Sequence, residues 1–331
     1  MMTLLLLACA PKGAADSAVD TGEAEVPIIA MTFNTGTTEG LPHDAEPDDG
    51  YTSAHAAVSD EWYGDGLAWG PAVEAAAAFF ARTSPDVVVF QEIFWTGECA
   101  DIPEEHHAGF ACEGWTDGDP TVAQIILGDD YQVMCHPGKP DKCAAVHSRL
   151  GTFEGCDEGF CLEGMEGYTV DGCGSGARVA RGVIALTEAY GGGSLTLVNL
   201  HGSSGLTGED VDCRLAQLEQ AFVDLGDGAP GASGERNLVM GDLNTDPGRW
   251  ADFDDSAVRW NDFVGEGLAF AAHTAIGEDA PGSYGGLADI DHVASDAWTG
   301  GCWHPGLDDE PEVLDAVYFD HRPAVCSLTT R

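Results

Sequence analysis

Eight polar residues spread along the chain share one placement. Asn34, Glu92, His201, Asp242, Asn244, Asp291, Asp320 and His321 each stand at or beside the end of an apolar run, where a strand gives way to a loop. Singly, each has an ordinary explanation: an asparagine caps a turn, a glutamate is a solvated strand end, a histidine is structural. Together their types describe one chemistry. Glu92 and Asp320 are hard oxygen ligands suited to Mg²⁺, Mn²⁺ or Ca²⁺, and Asn34 can orient such an ion or add an oxygen. A cation held there polarises a phosphoryl oxygen and offsets charge in the transition state. His201 and His321 provide an acid or base and a donor to phosphate oxygens. Asp242 and Asn244, in the turn "VMGDLNTDPG", can align a water and hold developing charge. Such a set needs no serine or cysteine nucleophile.

Positioning these residues requires buried strands alternating with helices. "VPIIAMTFN" reads as a strand ending at Asn34, "GPAVEAAAAFFARTSP" as an alanine-rich helix stopped by Pro85, and "DVVVFQEIF" as a second strand ending near Glu92. Residues 96–175 form a cysteine- and glycine-rich excursion containing the strand-like "CAAVHSRL". Then come "RGVIALT", "SLTLVNLHG" ending at His201, the helix "DCRLAQLEQAFVDL", "NLVMGDLN", a long loop region, "ADIDHVASD" and "YFDHRPAVCSL". This order predicts an α/β layered fold with sheets buried between helices.

The composition narrows the partners. The chain has 331 residues, 57 of them acidic and 13 basic, for a formal charge of −44, and its only lysines are Lys12, Lys139 and Lys142. Such a surface repels polyanions, because tight non-specific nucleic-acid binding depends on basic groups displacing counterions; it reads as a solubility device for a salty medium. An apolar fraction of 44% with eight tryptophans supports a large core.

At the N-terminus, "LLAC" resembles the lipobox of bacterial lipoproteins, with Cys9 the lipidated residue. The resemblance implies a signal peptide over residues 1–8, a flexible tether over 9–26 and a single domain over 27–329. It implies an extracytoplasmic monomer, either an outer-membrane lipoprotein held to the membrane through Cys9 or a secreted protein. The remaining ten cysteines, even in number and scattered, point to disulfides in an oxidising compartment; no CxxC pair supports zinc through thiolates.

The motifs "MTFN", "VVVFQE", "VNLHG", "MGDLN", "DIDHVAS" and "FDHRP" stand in the order and approximate spacing of the endonuclease/exonuclease/phosphatase superfamily, and the chain resembles it over residues 28–328. The resemblance implies a four-layered α/β sandwich, two packed mixed β-sheets flanked by helices, with the site at one edge. It implies Asn34, Glu92 and Asp320 at the metal, normally Mg²⁺, and His201 on the scissile phosphate. Asp242 would position or activate the attacking water, with Asn244 beside it on the phosphate. His321 would be the acid/base and Asp291 its hydrogen-bonded carboxylate. "NLHG" departs from the "THL" common around the first histidine but keeps the histidine.

Two substrate classes follow, a nucleic acid or a phospholipid headgroup. Arg149, in the recurrent "SR" strand ending, with Arg178 and Arg181, suggests a phosphate-binding patch of a nuclease. "DGCGSGARVARGVIAL" and the helix pattern "R..QL" resemble bacterial sphingomyelinases, which implies a Cys173–Cys213 disulfide. In those enzymes the Trp298 and Trp303 region carries a membrane-touching aromatic hairpin; ordinary packing is the other reading, with Trp303 over a Cys302–Cys326 bridge. A non-catalytic, surface-tethered binding module on the same fold is the alternative function, and the completeness of the polar set argues against it.

Overall fold

Two parallel strand pairs, each closed by a crossover helix, form the centre of the structure. The computed structural model describes residues 26–37, 50–170, 172–174, 179–305 and 319–331. The proposed signal peptide, Cys9, nearly all of the tether and Arg178 lie outside the described residues.

The chain runs through β1 (Ile28–Asn34), a short α1 (Ser53–Val58), α2 (Gly70–Thr83), β2 (Val87–Gln91), α3 (Val122–Leu127), β3 (Tyr131–His136) and β4 (Lys139–His147). Three short strands follow, β5 (Gly151–Phe153), β6 (Phe160–Cys161) and β7 (Glu166–Gly167). The second half holds β8 (Val179–Leu186), β9 (Ser194–His201), α4 (Gly208–Phe222), β10 (Asn237–Asp242), α5 (Asp255–Phe263), β11 (Ala271–Ala272), β12 (Asp291–Ser295), β13 (Trp298–Trp303) and β14 (Ala324–Thr330). One sheet has the order β13-β14-β1-β2-β4-β3-β6; the other runs β11-β12-β10-β9-β8-β5, with β7 also pairing to β8. β1 and β2 are parallel, as are β9 and β10, while β14, β4, β8 and β12 flank them antiparallel. Each sheet is therefore mixed.

Alternation along the central strands makes the layers. Met31, Phe33, Val88 and Phe90 face α2 and meet Phe79 and Phe80, whereas Ala30, Val87 and Val89 face the other sheet and meet Leu195, Leu197, Leu238 and Met240. On the far side, Val198, Leu200 and Val239 pack against Leu218 and Ala221 of α4 and Trp260 of α5. Three apolar interfaces separate four layers: helices, sheet, sheet, helices. α2 forms where alanine dominates and Pro71 suits the first turn; it ends as Ser84 turns left-handed at φ 42° ahead of Pro85.

The structure corrects the sequence reading in three places. The cysteine-rich excursion holds more than the one strand expected in it, since β3 joins β4 in the first sheet and α3 packs into its core. The long loop region contains α5, begun by Asp254, whose carboxylate accepts from Ser256 N at 2.9 Å. "WTGGCW" is β13, a strand despite its two glycines because it pairs along its whole length with β14. Trp298 is 1% exposed within the inter-sheet core and has no face left for a membrane; Trp303, at the other end of β13, is 39% exposed.

Five disulfides form: Cys99–Cys112, Cys135–Cys143, Cys156–Cys161, Cys173–Cys213 and Cys302–Cys326. Bonds of this kind persist in oxidising surroundings. Among the described residues, no helix is long and apolar enough to cross a membrane.

Candidate active site

Parallel strands end on the same side, so the carboxyl ends of β1, β2, β9 and β10 converge. Asn34 is in register with Gln91, the residue before Glu92, and Asp242 is in register with both His201 on β9 and Asp291 on β12. His201, Asp242 and Asp291 thus stand in a row across the second sheet. The sheets are tied together just beneath, where Gln91 Nε2 donates to Asn199 Oδ1 at 2.8 Å and Asn199 Nδ2 to Phe90 O at 3.0 Å. Asp320 and His321 arrive on the segment leading into β14, which pairs with β1.

Asp242 is the hub. Its side chain is 1% exposed, and its Oδ2 accepts from Asn34 Nδ2 at 3.0 Å and from Asn244 Nδ2 at 3.1 Å, while Oδ1 accepts from Asn244 N at 2.7 Å. The Nε2 atoms of His201 and His321 each lie 3.7 Å from Oδ2. Burial pushes the Asp242 carboxyl up to about 7, against the pull of His321. Burial on its own would lower the pKa of His321, but the carboxylates of Asp291 and Asp242 reverse the sign and raise it to about 10. The strongest contact is His321 Nδ1 to Asp291 Oδ2, 2.8 Å. At that pKa His321 is an imidazolium near neutrality, with Nδ1 committed to Asp291 and Nε2 turned toward Asp242.

Glycine and left-handed residues let the ends close on one another. A Cβ at Gly241 would overlap the carbonyl oxygen of Leu200, so only glycine allows β10 to lie this close to β9 just before Asp242. Glu92 and Asn244 both have positive φ, 58° and 50°, which turns each side chain back over the strand end; for Glu92 this is costly backbone, of the kind found at functional sites. α4 braces the loop after His201. Gln217 Nε2 donates to His201 O at 2.8 Å, and the buried Arg214 donates to the carbonyls of Ser203 and Gly205 while pairing with Asp254 at 3.0 Å. The "R..QL" pattern in that helix is therefore support for the histidine loop, a role its sequence did not disclose.

Around Glu92 the donors are oxygens. Its Oε1 is 3.5 Å from His201 Nε2. Burial and the neighbouring charge of Asp320 raise the Glu92 pKa, with His321 and Lys142 opposing; Asp320 is raised by burial in turn. Gly36 lets the Glu92 carboxylate lie against the backbone beside Asn34 Oδ1, since a Cβ there would overlap Glu92 Oε2. Two carboxylates made costly chiefly by burial, with the amide oxygen of Asn34 beside one of them, fit a small hard divalent cation. Asp242, Asp291 and His321 also offer clustered ligand atoms. Within that trio His321 Nδ1 is already hydrogen-bonded to Asp291 Oδ2. Beside Glu92 and His201 opens a cavity of about 400 Å³ whose walls include Trp95, Glu98, Lys139 and Lys142.

Arg149 and Arg181 do not join this group. Arg149 lies at the opposite end of β2, with Nε 2.5 Å from Asp86 Oδ1 and further bonds to Ser84. Arg181 is taken by Glu166 at 2.7 Å and by Asp227, with Pro230 O and Ser233 also bound. In so acidic a chain a guanidinium finds an internal carboxylate, which spacing along the sequence does not reveal. The cations that do face the cavity are Lys139 and Lys142, two of the chain's three lysines. Lys142 is buried and paired with Asp141 at 2.5 Å.

No family model matches the sequence, and no curated protein matches it. Solved structures do resemble the fold. The human Nocturnin catalytic domain with bound sulfate anion shares 13% identity at a TM-score of 0.52, covering 92% of this chain and 94% of that one. A humanized D. rerio TDP2 shares 13% at 0.51, covering 92% and 99%. An endonuclease/exonuclease/phosphatase protein from Beutenbergia cavernae shares 17% at 0.50, covering 92% and 72%. The two facing mixed sheets with their outer helices, matched over nine-tenths of the chain, share the fold of these structures, an endonuclease/exonuclease/phosphatase protein among them.

Proposed function

We propose that this protein is an extracytoplasmic, divalent-metal-dependent phosphodiesterase that hydrolyses its substrate by direct attack of water. One observation carries the reading: a buried Asp242 carboxylate, fixed by two asparagines, sits with the Nε2 atoms of two histidines each 3.7 Å away, next to Glu92. The five disulfides support the compartment.

In this reading Asp242, with its pKa near 7, orients the water and takes its proton as the oxygen attacks phosphorus; the ester P–O bond opposite the water breaks, and the leaving oxygen takes a proton from solvent. Asn244 and His201 hold non-bridging oxygens. The His321 imidazolium, kept charged by Asp291, donates from Nε2 to the phosphoryl group and neutralises charge as it develops. Glu92, Asp320 and Asn34 are the residues that would hold Mg²⁺, or Mn²⁺ or Ca²⁺ in its place; the ion supplies Lewis-acid polarisation of the phosphoryl oxygen. The water is the only nucleophile, so no covalent enzyme intermediate forms.

The test is a panel of plasmid DNA, RNA, sphingomyelin, phosphatidylcholine and bis-p-nitrophenyl phosphate, each with Mg²⁺, Mn²⁺ or Ca²⁺ and with EDTA. The expected result is turnover of bis-p-nitrophenyl phosphate and of one natural class, abolished by EDTA and restored by Mg²⁺ but not Zn²⁺. Hydrolysis of nucleic acid without lipid, or the reverse, selects the substrate class. Metal binding without turnover of any member would overturn the reading in favour of a binding module.

A further inference from the structure

Tyr284 lies on the loop before β12, and that loop is stitched to both halves of the His321–Asp291 pair. Ser283 Oγ accepts from Ile290 N at 3.0 Å and from Asp291 N at 3.1 Å, Ser283 O accepts from Arg322 N at 2.8 Å, and Gly285 N donates to Asp320 O at 2.9 Å. Tyr284 itself forms a backbone bridge with His321. Its ring lies over the His321 imidazole, centroids 4.9 Å apart and planes tilted by 53°. Fixed on both sides by main-chain bonds, the ring is held in place rather than draped.

The hydroxyl is the unusual part. Those of Tyr63, Tyr131, Tyr168 and Tyr190 donate to His106 O, Pro85 O, Glu166 and Asp86 respectively. The Tyr284 hydroxyl has no hydrogen-bond partner among the described residues, and the side chain is 41% exposed, so in the free protein the group is open to water beside the buried polar cluster. Its surroundings are acidic: burial first, then the charges of Asp320, Asp242 and Glu92, raise its pKa, so the group is a protonated donor at any working pH. A phenol O–H open to water and held over His321 can exchange that water for an oxygen of an anion bound at the site.

We propose that Tyr284 is a substrate-contacting residue whose hydroxyl donates a hydrogen bond to a non-bridging oxygen of the phosphoryl group, while its ring covers His321 from solvent. The inference rests on the phosphodiesterase reading for the identity of the substrate, but the anion contact can be tested apart from turnover. Hydrogen bonds to charged groups are stronger than neutral ones, which sets the expected size of the effect.

The experiment compares the full chain with Tyr284→Phe, which keeps the ring and loses the hydroxyl, and Tyr284→Ala, which loses both. Inorganic phosphate binding is measured by calorimetry in Mg²⁺, and kcat and KM are measured with bis-p-nitrophenyl phosphate. Tyr284→Phe is expected to weaken phosphate binding about tenfold and to lower kcat/KM by a similar factor, with an unchanged melting temperature. Tyr284→Ala is expected to add a loss in kcat beyond the phenylalanine variant. If Tyr284→Phe binds phosphate and turns over substrate like wild type, the hydroxyl contact is overturned and the tyrosine is packing only. If the wild type binds phosphate but hydrolyses nothing, the phosphodiesterase reading fails while the binding comparison still decides the role of Tyr284.

Discussion

Two buried aspartates mark opposite ends of the central strands. Asp86, 2% exposed and directly before β2, accepts from Ile29 N at 2.7 Å, Arg149 Nε at 2.5 Å and Tyr190 OH at 3.2 Å. Asp242, 1% exposed at the end of β10, accepts from two asparagines and faces two histidines. The first is fully neutralised and its charge is spent on holding β1, β2 and β4 in place. The second is buried, and burial raises its pKa to about 7 against the pull of the neighbouring His321. Identical side chains thus brace the strands at one end and, in the proposed mechanism, take the proton of water at the other, and the difference is the partner each meets.

That contrast breaks cleanly by mutation. Asp242→Asn should lower turnover by about 10³-fold or more, with a denaturation midpoint equal to or above that of wild type, because it removes a costly buried charge. Asp86→Asn should do the reverse: a loss of about 2 kcal/mol in urea unfolding, modest because Arg149 is partly exposed, with kcat unchanged per folded molecule. Equal effects of the two substitutions on both readouts would abolish the distinction.

The close approach of Glu92 to Gly36 gives a sharper test of the Asp242 end. Gly36→Ala puts a methyl group where Glu92 Oε2 lies, so Mg²⁺ affinity measured by calorimetry without substrate should fall about tenfold or more while the midpoint of unfolding changes little. Wild-type affinity would move the cation away from Glu92.

The smallest effect concerns pH in metal-free protein. His321 has a folded pKa near 10 against an ordinary 6.5, so its contribution to stability is complete below about pH 6.5 and is lost as pH rises toward 10. Asp242 acts earlier, since its folded pKa of about 7 against 3.8 removes stability as pH rises from about 4 to 7. Between pH 7 and 10 the wild type should therefore lose stability in EDTA, and His321→Gln should flatten that slope. An unchanged slope in the variant would show that Asp291 does not hold His321 charged.

Much of the framework was legible locally. Runs such as "SLTLVNLH" and "NLVMGD" are buried along nearly their whole length because central parallel strands are covered on both faces, and the polar residue that ends each run therefore lands at a sheet edge. "WTGGCW" was illegible for the opposite reason: two glycines carry no strand preference, and only pairing with β14 makes it one. The arginines were misjudged because a positive charge near a motif says nothing about which of 57 acidic residues will claim it.

By itself, then, the sequence determined where the strands end and which side chains stand there, since periodicity and turn chemistry act over a few residues. Tertiary structure alone decided which of those side chains meet. Asn34 reaches Asp242 across 208 positions and Arg149 reaches Asp86 across 63, and those distant pairings decide which carboxylate is neutralised and which is left to titrate. Charge interactions depend on separation in space and on burial, neither of which is carried by the order of residues along the chain.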